Sequence, residues 1–435
     1  MKHLLIVVAF AICIADTMAQ NDEAGTFENQ PSHPVLFAPV ESVGLSAERL
    51  ERIEAVMRPY VEQGLVAGLM TAVARRGRLV HFESYGYRDL EAEKPMEHET
   101  IFRIYSMTKP VTSVAVMMLY EEGRFLLTDP VARYIPAFEG LQVYDAAAPD
   151  GSKRARLSRP VTIRDLLTHT SGLTYGFGQT PVDTLYREAE LLYKRDDRGV
   201  SIRHGTMDDM VMKLSRIPLL HQPGTRWQYS VSFDVLGHLV EVVSGQTLDV
   251  FFQERIFDPL GMPDTGFEVP PEKMDRFAVN YTIGGNGRLE ILDAGSTSIF
   301  AAPVEFFSGG GGLVSTMTDY LRFAQMLLNG GVLGGTRLLS PKTVELMTSN
   351  HLKPGDETTR PGYGYGLGVA VLTNVARTQS LGSKGNYGWA GFANTYFFID
   401  REEELIGMVW SQHFPWRKYP IAAQFKVAVY QAIVD

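Results

Sequence analysis

Leu50, Ile53 and Met57 recur at helical spacing behind Leu45-Ser46-Ala47-Glu48-Arg49. The pattern predicts a helix with Ser46 as its N-cap and Arg49 at its third position. The period then changes. Leu69-Met70-Thr71-Ala72-Val73-Ala74 and Leu79-Val80-His81-Phe82-Glu83 flank Arg76-Gly77, which predicts a β-hairpin. Residues 111–120, almost wholly apolar, predict a buried helix. Pro110 belongs in its first turn, where a missing N–H leaves nothing unsatisfied. Asp129 and Pro130 predict a further helix start, as cap and first position.

Residues 160–350 read as short helices and loops. One helix is expected over 161–173, ended by Gly172, with others over 232–244 and 247–256. The glycines at 309–312 mark a turn or a close backbone approach. They are not a phosphate loop, since no Gly-Lys-Ser/Thr follows. β-rich runs return at 364–372, 389–399 and 405–411, the last two joined by a turn at 400–404, and a closing helix is expected over 417–434. Strands at both ends with helices between them predict an α/β (α+β) fold. One sheet is built from both termini, with a helical region inserted.

Residues 1–19 read as a secretory signal, with Lys2 in its charged region, an apolar run over 4–14 and Thr17-Met18-Ala19 at the cleavage positions. An uncleaved N-terminal membrane anchor is the alternative. Cleavage places the remaining chain in the periplasm or outside the cell, with no stable membrane span, and residues 20–40 form a loosely held arm. The one cysteine, Cys13, lies within the signal. A mature chain without it has no disulfide, cysteine nucleophile or cysteine metal site. A net charge of −9 excludes a general attraction to nucleic acid. The basic run Lys153-Arg154-Ala155-Arg156 follows a loop-like stretch and reads as a solvated insertion.

Ser106-Met107-Thr108-Lys109 places a nucleophile and an amine one helical turn apart on one face. A serine hydroxyl is weak until a base takes its proton. Lysine serves as that base only where burial or a neighbouring cation favours its neutral form. At a helix N-terminus, free N–H groups also favour developing negative charge at Ser106. Tyr229, in the Gly/Pro-led loop Pro223-Gly224-Thr225-Arg226-Trp227-Gln228-Tyr229, is a second proton carrier. Taken alone it also fits the commoner case of a tyrosine half-buried at a helix start. In Tyr387-Gly388-Trp389-Ala390-Gly391-Phe392, small residues at a strand let a substrate approach the backbone, and an N–H there could join that of Ser106 in an oxyanion hole. Read alone, it is also simply a strand with small residues.

Together these stretches resemble the serine β-lactamase and penicillin-binding protein superfamily, and most of all its family VIII carboxylesterases. Ser106-Met107-Thr108-Lys109 matches the first motif and Tyr229-Ser230-Val231 the second. Trp389-Ala390-Gly391 falls where penicillin-recognising members carry Lys-Thr-Gly. Leu166-Leu167-Thr168-His169-Thr170-Ser171-Gly172-Leu173 and Pro259-Leu260-Gly261-Met262 support the match.

The resemblance implies a β-lactamase-like sandwich. An antiparallel sheet from the N- and C-terminal segments is flanked by helices, and 20–435 forms one catalytic domain. Its α/β part covers about 40–120 and 300–435, and its helical region about 121–299. Ser106 is implied as nucleophile, with Lys109 and Tyr229 as the general-base pair. The backbone N–H groups of Ser106 and Phe392 make the oxyanion hole, and Trp389, Ala390 and Gly391 contact the substrate. No metal or cofactor is implied. Two departures turn the expectation from β-lactams to small, short-chain esters. Val231 replaces the second motif's amide, and Trp389 replaces the lysine that would hold a β-lactam carboxylate. Lys384 is near in sequence but falls in the loop before the strand.

Overall fold

The expected hairpin forms at the heart of a sheet. The computed structural model describes residues 36–148, 152–191, 194–195, 201–202, 205–301 and 303–435, so the signal read over 1–19 lies outside it. β1 (Leu36–Phe37), β2 (Gly68–Arg75) and β3 (Arg78–Asp89) come from the N-terminal side. β4 (Ile101–Arg103) pairs with β5 (Val314–Thr316) apart from them. From the C-terminal side come β6 (Tyr363–Tyr365), β7 (Ala370–Leu372), β8 (Tyr387–Ala390), β9 (Thr395–Asp400) and β10 (Leu405–Ser411). The main sheet runs β1-β3-β2-β10-β9-β8-β7-β6, nine strands among the described residues once the short Lys94–Pro95 edge on β3 is included. β2 and β10 join the two ends of the chain, with Ala72 opposite Met408. Only β1 pairs parallel along that path.

Helices cover both faces, so β2 is buried along its whole length. Its side chains alternate between two cores, as strand geometry requires. Leu69 and Val73 pack with Ile53 and Met57 of α1 (Arg52–Glu62) and with Phe425 and Val429 of the C-terminal helix. Met70, Ala72 and Ala74 pack in the larger core with Val111 and Val114 of α2 (Thr108–Glu121). The single sheet expected from the pattern and the α/β sandwich that the resemblance implies are therefore both present. Ser46 caps the first helical turn by accepting the Arg49 N–H, as its position suggested.

Several elements differ from expectation. The helix at Asp129 is a single turn, Val131–Arg133. Pro130 stays extended and bridges Thr162, because Val131 N–H donates to Val161 and Ile163 N–H to Asp129. The Asp129 carboxylate instead accepts the Leu126 N–H and the Tyr134 hydroxyl. Within 161–173 only α3 (Ile163–Leu167) is helical. Thr162 and Asp165 close a reciprocal cap on it, and His169, at φ 55°, turns the chain away before Gly172 is reached. The run 389–399 is two strands, not one. Asn394, at φ 64°, turns β8 back into β9, and its side chain holds the turn through His413 O and Arg417 N–H.

The inserted region also carries α4 (Pro181–Glu188) and α5 (Ser232–Ser244), the latter over the span the pattern predicts. Arg154–Arg156 pairs with Gln142–Tyr144 in a hairpin whose arginines are exposed, as a solvated insertion would be. α6 (Met317–Leu328) packs beside α2 on the sheet, and α7 (Ile421–Tyr430) closes the chain over a shorter span than 417–434.

Candidate active site

Tyr105–Met107 forms one tight turn that leads into α2. Tyr105 takes φ 41°, which a residue with a side chain adopts only where its surroundings hold it. They do so here through its ring, which packs edge-on against Phe300 at 5.8 Å and Phe392 at 6.2 Å. Ser106 is left half-exposed at the mouth of α2. Lys109, one turn further on, is fully buried. Pro110 sits in the first turn of α2, as expected.

The structure brings Ser106, Lys109 and Tyr229 together. Ser106 Oγ accepts hydrogen bonds from the Tyr229 hydroxyl at 2.6 Å and from Lys109 Nζ at 3.1 Å. Lys109 Nζ also donates to the Gly310 carbonyl at 2.6 Å. Among the described residues no carboxylate lies within ion-pair distance of it. Thr112 donates to the neighbouring Gly309 carbonyl at 2.7 Å. The glycine run is thus a close backbone approach. A Cβ at Gly309 would strike the Phe233 carbonyl, and one at Gly310 the Asp234 carboxylate.

Asp234, in the first turn of α5, fixes this loop from the other side. Its Oδ1 accepts the Ser308 hydroxyl at 2.5 Å and the Gly310 N–H at 3.1 Å. Lys109 and this buried carboxylate therefore hold the same glycine, one by its carbonyl and one by its N–H.

Aromatic rings enclose the Tyr229 side. Tyr175 lies 5.1 Å from the Tyr229 ring and Trp389 5.6 Å, with Tyr365 5.2 Å from Trp389. His169 packs 4.8 Å from Tyr229, and its Nδ1 is 3.1 Å from Ser230 Oγ. Burial, followed by the nearby Lys109 charge, holds His169 far below the usual imidazole range, so it is neutral.

Of the third stretch, Trp389 faces the site. Ala390 turns its side chain to the opposite core, so only its backbone is at hand. A Cβ on Gly391 would run into the Ile104 carbonyl, which explains the small residue where β8 passes the Ser106 turn. The N–H groups of Ser106 and Phe392 have no acceptor among the described residues. Val231 is buried under the start of α5, and Lys384 lies in the turn before β8.

Sequence reasoning did not single out Asp234, Tyr175 or Tyr365. Asp234 had one signal, an acidic side chain near the start of an otherwise apolar helix. Tyr175 stood in a glycine-rich loop just after a supporting motif. No cluster of His, Cys, Asp or Glu suited to a metal ion occurs among the described residues.

The chemistry open to this arrangement is nucleophilic. A hydroxyl with two donors on it, a buried ammonium behind it and free N–H groups beside it suits attack on a carbonyl carbon. Comparison with known proteins is consistent with that. The family model described as Beta-lactamase matches residues 53–431. Esterase EstB of Burkholderia gladioli is 32% identical over 375 residues, 82% of this chain and 88% of its own. Protein Rv1367c of Mycobacterium tuberculosis is 37% identical over 380 residues, 84% of this chain and 90% of its own. Among solved structures, "EstCE1, a hydrolase with promiscuous acyltransferase activity" superposes with a TM-score of 0.76 at 28% identity, covering 88% of this chain and 99% of its own.

Proposed function

The chain belongs to the Beta-lactamase family, and we propose that it is a periplasmic or secreted serine carboxylesterase acting through an acyl-enzyme on Ser106. Relatives and fold support a serine hydrolase or acyltransferase; the ester specificity is our reading. One observation carries it: the Tyr229 hydroxyl and Lys109 Nζ both reach Ser106 Oγ.

Ser106 Oγ attacks the ester carbonyl carbon while Tyr229, reacting as the phenolate beside the Lys109 ammonium, takes its proton and becomes the phenol. Lys109, over the Tyr229 ring and against Ser106, favours negative charge in that space. The carbonyl oxygen, now negative, accepts from the N–H groups of Ser106 and Phe392. As the tetrahedral adduct collapses, its bond to the alcohol oxygen breaks, and Tyr229 passes the proton to that oxygen. Water repeats the sequence on the acyl group. It loses a proton to Tyr229, the acid departs, and Ser106 regains its hydrogen. An alcohol in place of water would make the same step an acyl transfer.

Trp389 and Val231 argue against the β-lactamase and D-amino-acid peptidase reading, since neither can hold a substrate carboxylate by charge or amide. A purely binding role has no need of three groups joined at one hydroxyl. The test sets purified protein against short-chain and long-chain p-nitrophenyl esters and a chromogenic cephalosporin. The short-chain esters should show by far the highest kcat/KM. A higher value for the cephalosporin would overturn the assignment.

A further inference from the structure

Phe177 is the most exposed large apolar side chain among the described residues, at 76%. A lone exposed aromatic needs no explanation. This one ends a ladder of rings that starts at the proposed chemistry. It stacks on Tyr175 at 5.3 Å with ring planes 10° apart. Tyr175 lies 5.1 Å from Tyr229, and Lys109 Nζ is 5.4 Å from its centroid.

The loop that presents Phe177 is pinned on both sides. Arg187 Nη1, from α4, donates to the carbonyl before it, Gly176, at 2.5 Å and to the one after it, Gly178, at 2.8 Å. Thr174 Oγ1 accepts the Gly176 N–H at 3.2 Å and donates to Asp183 at 2.9 Å. The other Asp183 oxygen closes the cap of α4 through the Thr180 hydroxyl and N–H. Gly176 holds φ 76°, and a Cβ there would press on Tyr186. The ring is thus held outward by a hydrogen-bonded frame.

We propose that Tyr175 and Phe177 form a shelf for the alcohol part of the ester, and that the substrates are esters of large, flat, apolar alcohols such as phenols and naphthols. The inference rests on the proposed serine esterase reading. Tyr229 returns the proton to the leaving oxygen, so that oxygen must come within hydrogen-bond reach of the Tyr229 hydroxyl. The carbon body attached to it then lies against what borders Tyr229. Toward solvent that border is Tyr175 and then Phe177. Toward the sheet it is Trp389 and the fully buried Tyr365, a border closed by packed rings. The open side therefore takes the larger half of the substrate, and ring stacking gives flat groups the advantage.

The test compares 1-naphthyl, phenyl and methyl acetate by pH-stat for wild type, Phe177→Ala, Phe177→Trp and Arg187→Ala. The acyl group is constant, and each ester's intrinsic reactivity cancels in the variant-to-wild-type ratio. Phe177→Ala should lower kcat/KM for the naphthyl ester about tenfold, the size of one lost aromatic contact with its buried area, and leave methyl acetate unchanged. Phe177→Trp should keep the naphthyl preference. Arg187→Ala should lower it, since the ring is then no longer held. Equal losses on all three esters, or no loss on any, would overturn the shelf. Absence of ester hydrolysis in the wild type would instead overturn the esterase reading.

Discussion

The ammonium of Lys109 lies 4.7 Å from the centroid of the Tyr229 ring. The two side chains also meet at one atom, Ser106 Oγ. A cation over a phenol's face favours electron density on that ring, and the shared hydroxyl gives a proton a path in either direction. Lys109 and Tyr229 are therefore expected to act as one unit.

That unit gives the first prediction. Lys109→Ala and Tyr229→Phe should each lower kcat by about 100- to 10,000-fold, the usual range for a general base. The double variant should be little worse than either single one, since residues acting together are far from additive. Steady-state kinetics on one short-chain ester decides it. Near-wild-type turnover in Tyr229→Phe would leave Lys109 as the only base.

Asp234 should matter to rate without touching substrate. It holds the N–H of the glycine whose carbonyl accepts Lys109. Asp234→Ala should slow acylation of Ser106 about tenfold or more per active site, as for a lost hydrogen bond to a charged group, with KM little changed. Asp234→Asn keeps the acceptor oxygen and should recover most of the rate. Single-turnover kinetics on enzyme titrated for active sites separates this from loss of folded protein. Wild-type acylation in Asp234→Ala would remove the positioning role.

Trp389 is expected to set charge preference. Trp389→Lys should weaken binding of neutral esters and improve recognition of an anionic cephalosporin, by a small margin because Val231 still supplies no amide. Measuring kcat/KM for both substrates alongside Tm checks it. If both activities fall with Tm, Trp389 is a packing residue only.

Stability should decline toward acid, and His413 is one named cause. Both its ring nitrogens are buried without a hydrogen-bond partner among the described residues. Burial, followed by the Lys418 charge, lowers its pKa to about 4. In the unfolded chain it titrates near 6.5. The unfolded state therefore binds the proton first. The stabilisation is complete above about pH 6.5 and lost as pH falls toward 4, about 2 kcal/mol of it by pH 5. Urea unfolding at pH 7 and pH 5 should show a smaller acid loss in His413→Phe than in wild type. An equal loss would assign the effect to other groups.

The parts of the site legible in the sequence are those set by short-range geometry. Ser106 and Lys109 share a helix face because they are three residues apart, and Pro110 located the helix start. Tyr229 was visible because glycine and proline broke the chain just before α5. The acceptor of Lys109 was not, since Gly310 is 201 residues away and only the path of the chain brings it there. The glycine run was recognisable as a close approach, but not what approached it. Asp234 reads locally as an ordinary acidic residue in a helix's first turn. Asp129 shows the converse. It reads as a helix cap, yet its carboxylate turns back to the Leu126 N–H and the Tyr134 hydroxyl, and backbone bonds to Val161 and Ile163 hold the segment extended. His169 likewise ended α3 early by a left-handed turn that residue type alone does not announce.

The central claim is that Ser106 is the nucleophile. It is tested most directly by reacting the purified protein with a fluorophosphonate and locating the added mass by peptide mass spectrometry, beside Ser106→Ala. The account predicts one labelled peptide, the one carrying Ser106, with loss of esterase activity in step with labelling. Ser106→Ala should be folded, unlabelled and inactive. Label on another serine, or full activity in Ser106→Ala, would contradict it.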